Sequence, residues 1–333
     1  MTRPLRILTW HIHGNYLYYL VANGTAHEFY LPVKAGDHEG YGGRLPGFPW
    51  PDNVHDVPAE AVRHLEFDCI LFQSHKNYLE DQYEILSEGQ RRLPRIFVEH
   101  NPPREHPTNS RHPVDDADVL LVHVTHFNDL MWDNGRTPTR VIEHGVIVPE
   151  AVRYSGELER GIVVVNGLPS RRRLRGADVF ERARQEVALD LVGMEAKELG
   201  GLGALKYDDL HAFASRYRFF FNPIRYTSLG LAVCEALMIG MPIIGLATTE
   251  MVTAVENGVS GYVSTDVNWL IARMRQLLAD PAEARRLGDG ARHYARERFA
   301  IERFRRDWEE TFRLVTVSAP VRRQTQAVAS LQV

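Results

Sequence analysis

The sequence predicts an α/β protein made of two doubly wound, Rossmann-like domains with parallel sheets. Short apolar runs rich in β-branched residues alternate with helical patterns from one end of the chain to the other, as in strand–helix–strand units. Several of these runs are apolar at consecutive positions, which is typical of parallel strands that helices cover on both faces. With 333 residues, the chain is also longer than a usual single domain.

The predicted strands fall into two series. The first series consists of RILTW from Arg6, EFYL from Glu28, CILFQ from Cys69, RIFVEH from Arg95, VLLVHV from Val119 and TRVIEHG from Thr139. The second series consists of GIVVVNG from Gly161, VALDLVG from Val187, RFFFNP from Arg218, MPIIGL from Met241 and GYVS from Gly261. Between them we predict helices at 78–93, 207–217 and 231–239, followed by two amphipathic helices that are broken near Phe299.

Residues 148–161 are polar and have no strong hydrophobic period, so we place the domain boundary among them. This gives a first domain at 1–152 and a second domain at 153–299. We expect 318–333, which follows the last amphipathic helix, to form a flexible tail.

The composition excludes several classes of protein. Hydrophobic residues make up 44% of the chain and charged residues 25%, which excludes a disordered protein. A net charge of −4 argues against binding to nucleic acid through bulk positive charge. Cys69 and Cys234 lie far apart in apolar runs and match no metal-binding spacing, so we expect buried thiols in a reducing compartment. Because we find no signal-peptide core and no apolar stretch of about 18 residues, we expect a cytoplasmic protein.

The segment that carries chemistry reads NPIRYTSLGLAVCEALMIGMPIIGL. A buried strand ends in it, a polar turn follows, and a helix begins near Leu229 with Thr227 and Ser228 in N-cap positions. Gly230 allows the backbone to approach a ligand closely. The N–H groups and the dipole of the helix suit a phosphate, and Glu235, one to two turns further on, suits the hydroxyl groups of a ribose.

This segment and the following T-E-M-V and N-G-x-S-G-Y-V resemble the donor site of retaining GT-B glycosyltransferases of family 4. In that family a Glu-x7-Glu motif ends in a glutamate that holds the ribose of a nucleotide sugar, and Glu235 matches this second glutamate. The first glutamate, which contacts the transferred sugar, is replaced here by Thr227. The resemblance implies that Thr227, Ser228, Leu229 and Gly230 line the donor site.

A second match lies in VVVNGLPSRRRLRGADVF, which resembles the family segment whose two basic residues bind the diphosphate. Arg175 and Gly176 fall on the family's Lys-Gly pair, and Arg175 would thereby assist departure of the leaving phosphate. The partner of Arg175 is left open among Arg171, Arg172 and Arg173, of which we assign Arg172 and Arg173 to the donor site. Guanidinium groups suit paired phosphate oxygens.

The first domain carries further matches. RIFVEHNPP resembles a family strand that ends in a catalytic histidine, which falls on His100. RVIEHGV resembles v-i-x-N-G-v with His144 in place of asparagine, and the helix at 300–317 resembles the one that crosses back onto the first domain. The loop after the first strand is assigned to the acceptor side, with His13, Gly14, Asn15 and Tyr16.

The resemblance implies a metal-independent hexosyltransferase that moves a sugar from a nucleoside-diphosphate donor, a UDP- or GDP-sugar, with retention of configuration. The donor would lie in the cleft between the domains, in glycan, polysaccharide or glycolipid synthesis. No cofactor and no metal are expected, and Asp116-x-Asp118 is interpreted as a polar turn because it precedes a strand. Nucleotide base, donor sugar, acceptor (sugar, lipid-linked or protein), oligomeric state and peripheral membrane contact are left open.

Three alternatives remain from the sequence. One is a protein that binds a nucleotide sugar without transferring it, because Thr227 replaces a sugar-contacting glutamate. Another is a nucleotide-sugar epimerase of the same two-domain architecture. The third, an NAD-dependent dehydrogenase, lacks its glycine fingerprint, since Lys206 follows Gly201-x-Gly203 where a third glycine is needed.

Overall fold

The computed structural model describes residues 3–36 and 38–329, with 318–329 described by their backbone alone. The chain forms two compact units, one made of Met1–Glu143 with Ile301–Val333 and the other of His144–Ala300. The boundary therefore lies at 143/144 instead of the predicted 152/153. The reason is local: the N–H of Val146 donates to the Phe299 carbonyl (3.1 Å) and Val146 forms a bridge with Ala300, which holds this segment on the second unit.

In the described part of the first unit, parallel strands form one large sheet. The strands are β1 (Arg6–Thr9), β2 (Glu28–Val33), β3 (Val54–Pro58), β4 (Cys69–Phe72), β5 (Arg95–Glu99), β6 (Ser110–Arg111), β7 (Val119–His123), β8 (Trp132–Asp133) and β9 (Thr139–Val141). The sheet runs in the order β3-β2-β1-β4-β5-β7-β9, and β6 pairs separately with β8. Among the described residues, all strand pairs of the large sheet are parallel.

The second unit has its own parallel sheet. Its strands are β10 (Leu158–Val164), β11 (Leu189–Val192), β12 (Tyr217–Asn222), β13 (Ile243–Leu246) and β14 (Gly261–Ser264). Among the described residues they run in the order β11-β10-β12-β13-β14, with all pairs parallel. In each unit the strand order reverses beside the first strand, which is the arrangement of a doubly wound sheet.

Helices connect the strands in both units. They are α1 (Gly14–Val21), α2 (Gln82–Ile85), α3 (His126–Met131), α4 (Leu168–Arg175), α5 (Ala177–Arg184), α6 (Tyr207–Ala214), α7 (Leu231–Ile239), α8 (Met251–Ala254), α9 (Val267–Ala279), α10 (Pro281–Arg298) and α11 (Ile301–Ala329). Short 3₁₀ turns lie at Ala59–His64, Gln90–Arg92 and Ala196–Leu199, and a π-helical segment lies at Asn77–Asp81. Among the described helices, none has the length and the apolar composition that a membrane span requires.

Each unit has a separate core. The four residues of β4 are all buried, and so are all six of β12, because helices cover both faces of these central strands. In the first unit α11 packs on the sheet with the buried side chains of Phe304, Trp308 and Phe312. The flexible tail predicted at 318–333 differs from the structure in its described part, because α11 continues to Ala329; residues 330–333 lie outside the described residues.

Two sequence predictions differ from the structure. The helix predicted at 78–93 is broken into the π-helical segment, α2 and a 3₁₀ turn, because Leu86 has extended backbone angles (φ −95°, ψ 142°). Strand β3 was not predicted. It is an edge strand of the sheet, and Val54 is the one buried residue of its five, so it lacks the continuous apolar run of the central strands.

Candidate functional site

Both predicted donor segments follow strands at the point where the order of the second sheet reverses. Strands β10 and β12 are neighbours, and their connections leave to opposite sides of the sheet. The chain after β10 leads into the arginine-rich α4, and the chain after β12 forms a loop at 223–230 that leads into α7. Ligands of open α/β sheets bind at the carboxyl ends of strands at such a reversal. The topology thus brings the two segments to one edge of one sheet.

The loop at 223–230 differs from the prediction in how it meets the helix. Helix α7 begins at Leu231, and its N-cap is Gly230, which has extended angles (φ −70°, ψ 133°) and no side-chain cap. Thr227 and Ser228 therefore do not cap the helix, and Leu229 lies before it. Ser228 and Leu229 are both buried.

A row of peptide N–H groups without acceptors marks the start of α7. No acceptor among the described residues pairs with the N–H of Leu229 or Gly230. The N–H groups of Leu231 and Ala232 lie in the first helical turn, where a helix offers no internal acceptor. Four consecutive donors together with the helix dipole form a site for an anion such as a phosphate.

Open space lies beside Gly230. A Cβ atom built on this glycine meets no atom within 4 Å, and its φ of −70° suits any residue. Packing and backbone conformation among the described residues therefore do not require glycine here, and the space beside it is open to a ligand.

A glycine allows the arginine segment to pack directly against the loop at 223–230. Gly176 has φ +79°, and a Cβ on it would lie 1.9 Å from the Pro223 carbonyl oxygen. The backbone N–H of Arg225 donates to the Leu174 carbonyl (3.1 Å), and the N–H of Tyr226 reaches the same oxygen (3.4 Å). Only a glycine permits this contact, and it brings the end of α4 beside the phosphate-type loop.

The predicted arginines differ in their burial and in their ion pairs. Arg175 ends α4 and is half-buried. Arg173 pairs with Asp178 (2.9 Å), and Arg225, which sequence reasoning missed, makes a two-pronged pair with the same carboxylate (2.5 and 2.6 Å). These hydrogen bonds, that from Arg225 first, hold the pKa of Asp178 below its usual range. Arg172 makes no ion pair with a described residue.

A cavity of about 630 Å³ adjoins these side chains. It is lined by Pro169, Ser170, Arg172, Arg173, Ala177, Asp178, Glu181, Glu198 and Leu199. Residues 223–230 do not line it. The Arg173 carbonyl also accepts from the Arg225 side chain (2.8 Å), so the end of α4 from Arg173 onwards contacts the loop, while Arg172 and Arg173 in addition line this other space.

Glu235 lies in the second turn of α7 and is buried, with 3% of its surface exposed. Its Oε2 is 3.4 Å from Nε2 of His211 on α6, which is also buried. That distance and its geometry make no hydrogen bond, and His211 Nε2 has no other hydrogen-bond partner among the described residues. A carboxylate and an imidazole thus approach each other next to the anion-type loop.

In the first unit the acceptor-side residues follow β1, and β1 and β4 are the strands at which that sheet reverses. His13 is the N-cap of α1, which begins at Gly14, and Asn15 is half-buried in its first turn. The ring centroids of His13 and His100 are 4.1 Å apart. Burial, opposed in part by the Glu99 carboxylate, lowers the pKa of His13 to about 4.

Tyr16 departs from its predicted place on the acceptor side. Its ring is buried between His100 (4.6 Å) and Phe304 (5.7 Å), and burial raises the pKa of its hydroxyl. The Tyr16 side chain therefore belongs to the packing that supports His100 and not to an open surface. His100 itself is half-buried and lies directly after β5.

A buried carboxylate precedes His100. Glu99 Oε2 accepts from His75 Nε2 (2.9 Å) and His112 Nε2 (3.1 Å), and its Oε1 accepts from the N–H of Asn101 (2.7 Å). Burial alone would raise the pKa of Glu99, but the hydrogen bonds from His112 and His75 outweigh it and hold the pKa well below its usual range. The cluster fixes the chain on both sides of His100.

The same three side chains have the spacing of a metal site, with ligand atoms within 4.8 Å of one another. However, the N–H of Val114 donates to Nδ1 of His112 (3.1 Å). A neutral His112 must then carry its proton on Nε2, the atom that faces Glu99. A histidine ligand usually has its other ring nitrogen protonated, so we interpret the cluster as a hydrogen-bonded carboxylate.

The family described as "Glycosyl transferases group 1" matches residues 174–280, which include the end of α4, the loop at 223–230 and α7. No curated protein sequence matches the chain.

Three solved structures illustrate the similarity in fold. Sucrose-phosphate synthase from Thermosynechococcus elongatus has 17% identity and a TM-score of 0.66, over 94% of this chain and 100% of that one. HepE from Anabaena, solved with UDP and glucose, has 13% identity and a TM-score of 0.66, over 92% and 99%. AviGT4, a glycosyltransferase involved in avilamycin A biosynthesis, has 15% identity and a TM-score of 0.61, over 95% and 99%. These similarities confirm the predicted fold class, two Rossmann-like domains of the GT-B type.

Proposed function

We propose that the protein is a glycosyltransferase that takes a sugar from a nucleoside-diphosphate donor and passes it to an acceptor with retention of configuration. The observation that carries the proposal is the row of four peptide N–H donors at 229–232, beside the end of an arginine-rich helix. The group 1 glycosyltransferase family matches this same segment, and HepE, similar in fold, was solved with UDP and glucose. UDP and GDP are therefore the nucleotides to test first.

Each group has a role in this reaction. The N–H groups of the loop and the Arg175 guanidinium stabilise negative charge that develops on the departing diphosphate. Glu235 accepts hydrogen bonds from the ribose hydroxyls. The leaving phosphate takes the proton of the acceptor hydroxyl on the same face of the sugar, which retains the configuration. Because cationic side chains and backbone donors meet the phosphate charge, the proposed reaction needs no divalent ion.

Calorimetry tests the donor site. UDP and GDP are titrated in excess EDTA, with uridine and guanosine as controls that lack the phosphates. We expect one diphosphate to bind at least about tenfold more tightly than its nucleoside, since charge-assisted hydrogen bonds to the phosphate are strong. If neither diphosphate binds better than its nucleoside, the donor-site assignment is wrong.

Turnover then tests the reaction itself. Release of nucleoside diphosphate from UDP- and GDP-sugars is followed with acceptor extracts in EDTA, and the anomeric configuration of the product is read by NMR. Loss of activity in EDTA that Mg²⁺ or Mn²⁺ restores would overturn the metal-independent part and return attention to Asp116 and Asp118.

A second function, binding of a nucleotide sugar without transfer, is favoured by Thr227, which offers no carboxylate to the donor sugar. Tight binding of a nucleotide sugar without release of nucleoside diphosphate would support it. Conversion of the sugar to its epimer in place of transfer would support the epimerase.

A further inference from the structure

Two side chains that are distant in sequence donate hydrogen bonds to carbonyl groups of the loop at 223–230. Thr249 Oγ1 donates to the Ser228 carbonyl (3.3 Å), and His144 Nε2 donates to the Leu229 carbonyl (3.0 Å). A carbonyl oxygen can only accept, so His144 carries a proton on Nε2. His144 is the first residue of the second unit, and Thr249 follows β13. Two separate segments of the chain therefore hold the loop.

Because the peptide bond is planar, these two contacts also fix the direction in which the N–H group of each following residue points. In a trans peptide the carbonyl and the N–H of the next residue point in opposite directions. Holding the Ser228 carbonyl therefore turns the Leu229 N–H away from Thr249, and holding the Leu229 carbonyl turns the Gly230 N–H away from His144. These are the first two members of the row of four donors without acceptors.

Thr249 holds its position in a conformation that a β-branched residue rarely adopts, with φ +53°. Its neighbours fix it on both sides: Thr248 Oγ1 donates to the Ile224 carbonyl (3.3 Å), and buried Glu250 pairs with Arg298 (2.8 Å). Strain of this kind persists where the surroundings over-determine it and is a recurring feature of ligand sites.

The other strained residues belong to the same unit. Among the described non-glycine residues, positive φ occurs besides Thr249 only at Arg172 (φ 39°) and Glu195 (φ 66°). Arg172 lies within α4, and Glu195 accepts from the N–H of Ser170 in the first turn of α4 (3.3 Å). Each described backbone outlier thus lies in, or hydrogen-bonds to, one of the two segments assigned to the donor.

We propose that Thr249 and His144 are positioning residues that aim the N–H groups of Leu229 and Gly230 at the phosphate of the donor. This inference rests on the proposed function, because it assumes that a nucleoside diphosphate binds the loop. It adds that affinity for the phosphate depends on a threonine hydroxyl and an imidazole that do not touch the ligand.

Variants of Thr249 separate positioning from simple stability. Thr249→Val keeps the shape and loses the hydroxyl, Thr249→Ser keeps the hydroxyl, and Thr249→Gly removes both the hydroxyl and the strain. We expect Thr249→Ser to bind the diphosphate like the wild type, and Thr249→Val and Thr249→Gly to bind it at least about tenfold more weakly. We expect the melting temperature of Thr249→Gly to stay level or rise, since glycine tolerates positive φ.

Variants of His144 provide the second arm. The amide nitrogen of His144→Gln reaches about as far as Nε2 and still donates, whereas His144→Leu fills similar space without a donor. We expect His144→Gln to restore most of the affinity for the diphosphate that His144→Leu loses. The matched control is Thr311→Val, which removes a buried threonine hydroxyl bonded to the Asp307 carbonyl in α11 (2.7 Å) and should leave the affinity unchanged.

The measured quantity is the affinity for the nucleoside diphosphate divided by the affinity for its nucleoside. The pair is UDP and uridine or GDP and guanosine, according to which diphosphate the wild type binds. A fall in this ratio with an unchanged nucleoside affinity supports the proposal. Equal ratios in wild type, Thr249→Val and His144→Leu would overturn it, as would a Thr249→Gly protein that binds normally. A wild type that binds neither diphosphate would overturn the proposed function as well, so the two failures are distinguishable.

Discussion

Gly176 lies so close to Pro223 that a Cβ atom on residue 176 would come within 1.9 Å of the Pro223 carbonyl oxygen. One glycine therefore decides whether the arginine segment can lie against the loop at 223–230. The glycine was predictable from the Arg-Gly pair, but its contact with the loop was not.

We expect Gly176→Ala to lower the free energy of unfolding by about 2–4 kcal/mol, because the methyl group meets a backbone carbonyl and φ is +79°. The control is Gly200→Ala, at φ +70° with no atom within 4 Å of the added Cβ, which carries the backbone strain alone and should cost only about 1–2 kcal/mol. Thermal melting of both variants measures the difference. Equal losses would show that the contact with Pro223 does not constrain the chain.

Gly230→Ala should leave stability within about 0.5 kcal/mol of the wild type, because its Cβ points into open space at a φ any residue adopts. We expect it to weaken nucleoside-diphosphate binding at least about tenfold, since the methyl group stands where a phosphate must approach. Gly89→Ala, which also adds its Cβ to open space, is the control. Unchanged affinity in calorimetry would place the phosphate elsewhere.

Glu235→Ala should weaken nucleoside-diphosphate binding by about 1.5–3 kcal/mol, because hydrogen bonds between ribose hydroxyls and a carboxylate are lost. Glu235→Gln, which preserves the packing against His211, tests whether the charge matters. Pyrophosphate has no ribose, so its affinity should not change in either variant. A similar loss for pyrophosphate would contradict the ribose assignment.

His100→Ala should lower kcat by about 10²-fold or more if the imidazole contacts the donor sugar only in the reacting geometry, which corresponds to roughly 3 kcal/mol of barrier. Binding of the free nucleoside diphosphate should hardly change, because that ligand lacks the sugar. The ring also packs on His13 and Tyr16, so turnover and the melting curve must be measured on the same preparation. A stable, fully active variant would remove His100 from the proposed site.

The free energy of unfolding should fall as pH drops from 6.5 towards 4. Burial lowers the pKa of His13 from 6.5 to about 4 in the folded chain, so the unfolded chain binds this proton first and the folded state loses stability. The loss is at most about 3 kcal/mol. His13→Asn should reduce the slope in this range without abolishing it, because burial also lowers the pKa of His11.

The control for this titration is His293→Asn, which removes an exposed side chain (81% accessible) in α10. Chemical denaturation at a series of pH values gives both slopes. If His13→Asn keeps the slope of the wild type, the imidazole at position 13 is not the group whose protonation opposes folding.

The central strands could be predicted from the sequence because burial on both faces favours apolar residues at consecutive positions. Strands β4, β5 and β12 are covered on both faces, so they appear as continuous apolar runs with little ambiguity. Edge strand β3 has one buried residue, Val54, and its polar His55 and Asp56 make the segment resemble a loop. The break of the predicted helix at 78–93 is local, because Ser87 and Gln90 exchange side-chain-to-backbone hydrogen bonds (2.8 and 3.3 Å) that begin a new turn.

The segments of the candidate site could be predicted from local sequence, whereas the contacts that hold each residue there depend on the folded sheet. Local spacing is enough to place Gly230 and Glu235 near a phosphate-type helix start, because strand, turn and helix are consecutive in the chain, whereas Arg175 was assigned to the donor by the family resemblance. Spacing cannot show that Thr249 and His144 hold the loop, since their contacts with Ser228 and Leu229 join residues 21 and 85 positions apart. Contacts at such separations exist only once the sheet has brought the ends of its strands to one edge.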